Sequence, residues 1–230
     1  MQINGFQKLT LLDYPEKVAC TLFTAGCNFR CPFCHNASLV ISPNKSLAIS
    51  QEEILFFLKK RKGILEGVCV TGGEPLLHQD LESFLCEIKA LGYQIKLDTN
   101  GSFPDKLKEL VSAGLIDYVA MDIKNSRERY AQTVGITDFD VSKVEESVAF
   151  LLSGTVEYEF RTTIVKELHD MVDIQHIGEW IQGATRYYLQ NFEDSGELIQ
   201  GGLNPVETAV LKEMQTIAKA YIPNTKLRGV

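Results

Sequence analysis

No window of this sequence approaches the roughly 20 consecutive apolar residues that a membrane helix needs. The opening MQINGFQKLTLLDYPEK lacks the basic start, apolar middle and small-residue cleavage site of a secretory signal. A cytoplasmic protein with no membrane association is expected. Basic charge is scarce: 23 Lys and Arg face 30 Asp and Glu, a formal net charge of -7, which argues against nonspecific nucleic-acid binding. Low-complexity tracts and linkers are missing too, so residues 1–230 are expected to form a single domain. In a reducing compartment the six cysteines are read as metal ligands, nucleophiles or small core residues, not disulfides. Cys20, Cys69 and Cys86 sit in apolar or helical stretches and are expected as core filler.

What is present is alternation. Strand-like runs at 18–24, 67–73, 93–101, 116–124, 156–165 and 185–192 are each followed by an amphipathic stretch, giving six strand–helix units. That pattern predicts a parallel α/β fold, either an open doubly wound sheet or a barrel. Both bind ligands at the carboxyl ends of the strands. Polar motifs stand at four successive ends: Cys27, Cys31 and Cys34 after the first, TGGEP after the second, DTNG at the third and MDIK at the fourth.

The stretch CNFRCPFCHN places three cysteines within eight residues. Three thiolates leave a tetrahedral zinc one ligand short, and no second cysteine pair follows. His35, adjacent to Cys34, is poorly placed to converge on the same ion. An iron–sulfur cluster suits closely spaced thiolates better, and three ligands on a four-iron cube leave one iron for a substrate. Phe33 is either hydrophobic shielding or a surface for an aromatic ligand.

C-x3-C-x2-C with an aromatic residue before the last cysteine, followed by GGEP after the next strand, resembles the radical S-adenosylmethionine (SAM) superfamily. DTNG and MDIK look like motifs of the pyruvate formate-lyase activating enzymes. The opening GFQKLTLLDYPEKVACTLFTAGCNFRCPFCHN and the ending YIPNTKLRG resemble activating proteins of anaerobic ribonucleoside-triphosphate reductase. The resemblance implies a partial (β/α)6 TIM-like barrel with outer helices. It implies a [4Fe-4S] cluster on Cys27, Cys31 and Cys34, SAM on the fourth iron, and a 5′-deoxyadenosyl radical that takes hydrogen from a glycine of a partner, anaerobic ribonucleotide reductase. Flavodoxin or ferredoxin would donate the electron.

The same resemblance assigns the backbone around Phe33 and His35 to adenine, and Gly72, Gly73 and Glu74 to the methionine amino group. Asp98 falls beside SAM near a bound monovalent cation, and Asn100 near the ribose. Asp122 and Lys124 become SAM or partner-peptide contacts. Each has a plainer reading: TGGEP as a tight turn, Asp98 and Asn100 as helix caps, and Asp122 with Lys124, which share a strand face, as an ion pair. On the fifth strand Glu157, Glu159, Arg161 and Thr163 share a face, which fits either an exposed edge or a polar lumen where Arg161 meets a carboxylate. The pyruvate formate-lyase activases carry a histidine after their last strand; this chain reads YLQNFEDSGEL there, so either Gln190 or Asn191 substitutes or the contact is lost, and no residue is assigned to it. A small-molecule radical SAM enzyme, such as a deazaguanine synthase, and a noncatalytic metal-binding scaffold are the competing functions.

Overall fold

A computed structural model describes residues 1–194 and 196–229. Eight strands form one sheet in sequence order: β1 (Ile3–Thr10), β2 (Ala19–Thr24), β3 (Gly67–Gly72), β4 (Gln94–Thr99), β5 (Tyr118–Asp122), β6 (Glu157–Ile164), β7 (Tyr187–Asn191) and β8 (Thr225–Arg228). Strands β2 to β8 pair in parallel, whereas β1 lies antiparallel on β2 with two register shifts. The helices are α1 (Ala37–Ile41), α2 (Gln51–Lys60), α3 (Leu81–Ala90), α4 (Pro104–Ser112), α5 (Tyr130–Val134), α6 (Ser142–Leu152), α7 (Met171–Trp180) and α8 (Thr208–Lys219). The expected six units correspond to β2 through β7 with their following helices. The sequence pattern passed over β1 and β8: the first shows no clean two-residue alternation of burial, and the second is four residues long. Because β8 does not return to β1, the barrel stays partial.

Alternation along the strands separates two environments. Val68, Val70, Ile95, Leu97, Val119, Met121, Tyr158, Phe160, Tyr187 and Leu189 point outward into the buried apolar cluster shared with the helices. Their neighbours Lys96, Asp98, Asp122, Glu159 and Arg161 point inward. Since β6 is paired on both sides, its polar face is a lumen and not an exposed edge. Cys20 joins the apolar core as expected. Cys69 differs: it is buried in the lumen, its thiol 3.7 Å from both Asp98 and Lys96. Cys86 is exposed on α3.

Glu74 braces the ends of β3 and β4. Its fully buried carboxylate accepts hydrogen bonds from Leu76 N (3.1 Å), Thr99 Oγ1 (2.9 Å) and Asn100 N (2.7 Å). Burial pushes this carboxyl up to about 7, against the pull of those three donors. Replacing Glu74 by Ala leaves three buried donors without an acceptor, each worth roughly 1 kcal/mol or more. Guanidinium unfolding of Glu74→Ala apo-protein is expected to show about 3 kcal/mol lost; a change under about 1 kcal/mol would remove Glu74 as a brace.

Candidate active site

The loop after β2 is held by backbone contacts before any side chain acts. Gly73 N donates to Thr24 O (2.8 Å), Glu74 N to Gly26 O (2.8 Å), and Arg30 N to Val134 O (2.8 Å). A Cβ at Gly73 would lie 1.9 Å from Gly26 O, and one at Gly72, whose φ is +118°, 2.3 Å from Thr24 N. The paired glycines therefore let the strand-end backbone lie directly against the segment that leads into Cys27. Arg30 closes the loop from outside, its guanidinium donating to Cys27 O (2.6 Å) and Phe29 O (2.7 Å).

Cys27, Cys31 and Cys34 line one cleft of about 810 Å³, part of it open solvent, together with Phe33, His35, Gly72, Gly73, Asp98, Asn100, Asp122, Lys124 and Arg161. The Cys27 sulfur accepts from Phe29 N (3.3 Å) and Asn100 Nδ2 (3.8 Å). The same Asn100 amide donates to Asn28 Oδ1 (2.9 Å), and its carbonyl accepts from Ser102 N and Oγ. Asn100 thus ties the cysteine loop to the end of β4. It does not cap a helix: α4 begins at Pro104 with Phe103 at its N-cap. Burial pushes the Cys27 thiol up to about 11 and Cys31 to about 12, and the nearby Lys124 ammonium pulls both back.

These thiols suit an iron–sulfur cluster: soft donors, partly buried, with hydrogen-bond donors aimed at one sulfur. Among the described residues no three His, Cys, Asp or Glu side chains converge on one ion. The His35 ring instead stacks on Phe192, with centroids 5.6 Å apart and planes at 27°.

Five charged side chains cross the lumen in alternating sign. Lys96 donates to Asp98 Oδ1; Arg161 donates through Nη1 to Asp98 Oδ2 (3.0 Å) and through Nε to Asp122 Oδ1 (2.9 Å); Lys124 donates to Asp122 Oδ2 (2.9 Å). Desolvation opposes the charge on each, but the partners win: both carboxyls are held below the usual range, by Arg161 first and then by their lysines, while Lys96, Lys124 and Arg161 are held above theirs. The predicted Asp122–Lys124 pair is present, and Arg161 meets two carboxylates of its own chain.

Glu74, expected beside the ligand, does not line the cleft; its oxygens serve the strand ends. Asn191 is similarly occupied, donating to Val206 O (3.0 Å) and accepting from Val206 N (3.1 Å). Gln190 and Asn191 both line a second hollow, which shares His35 and Thr163 with the cleft and includes Arg228. Ser195, in the same predicted segment, lies outside the described residues. Lys96, Asn28 and Ser102 were not singled out from sequence. Lys96 was accessible to the two-residue alternation that pairs it with Asp98; Asn28 takes its role from Asn100 and Ser102, more than 70 positions away in sequence.

Comparison with known proteins places this geometry. Residues 21–172 match the family model of the radical SAM superfamily. A Methanocaldococcus jannaschii protein provisionally named a glycyl-radical enzyme activating enzyme is 29% identical over 99% of this chain and 96% of its own. The structure of Streptococcus suis SuiB superposes with a TM-score of 0.72 at 14% identity, covering 91% of this chain; the chain spans about half of SuiB, 48%. A domain of pyruvate-formate lyase-activating enzyme from Bacteroides vulgatus superposes with a TM-score of 0.58 at 18% identity, covering 71% of this chain and 99% of that one. With a family match across most of the chain and a cysteine loop opening on a charged cleft, this chain belongs to the radical SAM superfamily and is a radical SAM enzyme.

Proposed function

We propose that residues 1–230 act as one radical SAM domain that activates a glycyl-radical enzyme, the expected partner being anaerobic ribonucleoside-triphosphate reductase. One observation carries this reading: the three thiols of the C-x3-C-x2-C loop open on the same cleft as Gly72, Gly73, Asn100 and the charged row. The relative in M. jannaschii, similar along nearly its whole length, favours a protein partner over a small-molecule substrate.

Cys27, Cys31 and Cys34 would hold a [4Fe-4S] cluster. When bound, that reduced cluster supplies the electron that splits SAM into methionine and a 5′-deoxyadenosyl radical able to take hydrogen from glycine. The chain's own residues bind and orient. Backbone at Gly72 and Gly73 offers polar groups to the methionine amino group, and the Lys124 ammonium, the outermost cation of the row, receives its carboxylate. Phe33 and His35 border the adenine, and Asp98 and Asn100 the ribose side. The gap between β8 and β1 gives a partner loop access, with Gln190 and Arg228 beside it. A flavodoxin or ferredoxin supplies the electron.

Under anaerobic reconstitution, Cys27→Ala, Cys31→Ala and Cys34→Ala are each expected to abolish 5′-deoxyadenosine formation, while Cys86→Ala retains it; product from any of the three would refute the ligand assignment. Lys124→Met is expected to weaken SAM binding at least tenfold, about 1.4 kcal/mol, measured by equilibrium dialysis on loaded protein; unchanged affinity removes Lys124 from the site. Mixing the reduced enzyme and SAM with anaerobic reductase is expected to produce a glycyl radical by electron paramagnetic resonance. A silent reductase alongside normal SAM cleavage would make the partner assignment wrong and leave the chemistry standing.

A further inference from the structure

The family resemblance brings a monovalent cation to Asp98, and the residues here do not fit one. Both Asp98 oxygens are already engaged, one by the Lys96 ammonium and the other by Arg161 Nη1 at 3.0 Å. The next two side-chain oxygens along the chain are engaged as well. The Thr99 hydroxyl donates to Glu74 and accepts from Gly101 N (3.1 Å), and Asn100 Oδ1 accepts from Ser102. A potassium or sodium ion at Asp98 would stand against the buried Lys96 ammonium, a like charge already on the same carboxylate.

Lys96 is unusual in its own right. It is 2% exposed, and its ammonium reaches one carboxylate, Asp98, and the neutral Cys69 sulfur at 3.7 Å. It comes from the same strand and the same face as Asp98, so the backbone of β4 delivers cation and carboxylate as a fixed unit. A lysine head is a compact point charge on a flexible stem, which lets it do what a small bound cation does: offset the carboxylate without adding a planar fork that would fill the cleft.

We propose that Lys96 is the built-in cation of this site, neutralising Asp98 from inside the lumen and making the SAM site independent of potassium and sodium. The proposal rests on the SAM-binding reading above and concerns a positioning residue, since Lys96 acts through Asp98 and Arg161.

The test compares reconstituted wild-type enzyme in potassium, sodium and tetramethylammonium chloride at constant ionic strength, following SAM affinity and 5′-deoxyadenosine formation. Wild type is expected to vary less than twofold across the three salts. Lys96→Met is expected to bind SAM about tenfold more weakly in tetramethylammonium chloride and to recover in potassium or sodium. That ion-specific rescue is a response that a merely structural lysine would not give. A wild-type rate rising twofold or more with potassium or sodium overturns the proposal, as does a folded Lys96→Met protein with no ion-specific recovery. If Lys96→Met does not fold, Lys96→Gln takes its place, and the wild-type salt series decides by itself. Should the enzyme neither bind nor cleave SAM in any salt, the proposed function fails separately. The salt series is then read on the thermal midpoint of apo-protein, expected to be equal in the three chlorides for wild type and raised by potassium or sodium for Lys96→Met.

Discussion

Two carboxylates and three cations can stand in this lumen, one fully buried and four partly so, only because they stand together. Asp98 or Asp122 alone would face the full cost of leaving water, and so would Lys96. Linked in alternating order through Arg161, they satisfy one another, and among the described residues no buried side-chain nitrogen or oxygen lacks a hydrogen-bond partner. The row spans β4, β5 and β6, so it also fixes the lateral positions of three strand ends. Removing its centre would leave each carboxylate with its lysine alone and break the link between β4 and β5, which makes Arg161 the member that joins the two halves of the row.

The row ends at Lys124, on the side of the cysteine loop, and this is where the architecture becomes chemistry. A barrel interior filled with apolar side chains, as many closed barrels have, would position nothing charged. Here the outward strand faces carry the packing, freeing the inward faces for polar residues. Glu74 and Asn100 convert that frame into a site: the first holds the ends of β3 and β4 together, the second reaches from β4 to the cysteine loop. Neither is needed to touch a ligand for the cleft to keep its shape.

Much of this was legible in sequence because alternation along a strand needs no knowledge of neighbours. The shared face of Asp122 and Lys124 and the polar face of the fifth strand follow from it, and the four strand-end motifs follow from the order of strands and helices. Residues whose roles come from across the chain were harder to read. Cys69 looks like core in GVCVTGG, since an apolar run does not say which of two buried environments each face meets. Glu74 looks like a ligand residue until its three donors, two of them more than 20 positions away, are brought beside it. Lys96 hid in plain view: the alternation includes it, but its meaning depends on Arg161 approaching the same carboxylate from another strand. Strands β1 and β8 escaped for a simpler reason, one being irregular and the other short.

The incomplete barrel has one more consequence. A sheet that does not close leaves two raw edges whose unpaired backbone groups can recruit other chains into extended aggregates. Both edges here are spoiled as templates. Strand β1 shifts register twice along its length and carries Gly5 and Lys8, while β8 is only four residues long and carries Lys226 and Arg228, the latter turned inward onto Glu159 at 2.9 Å and over the Tyr188 ring. Irregularity on one side and brevity with charge on the other make both edges of the open barrel poor templates for strand addition.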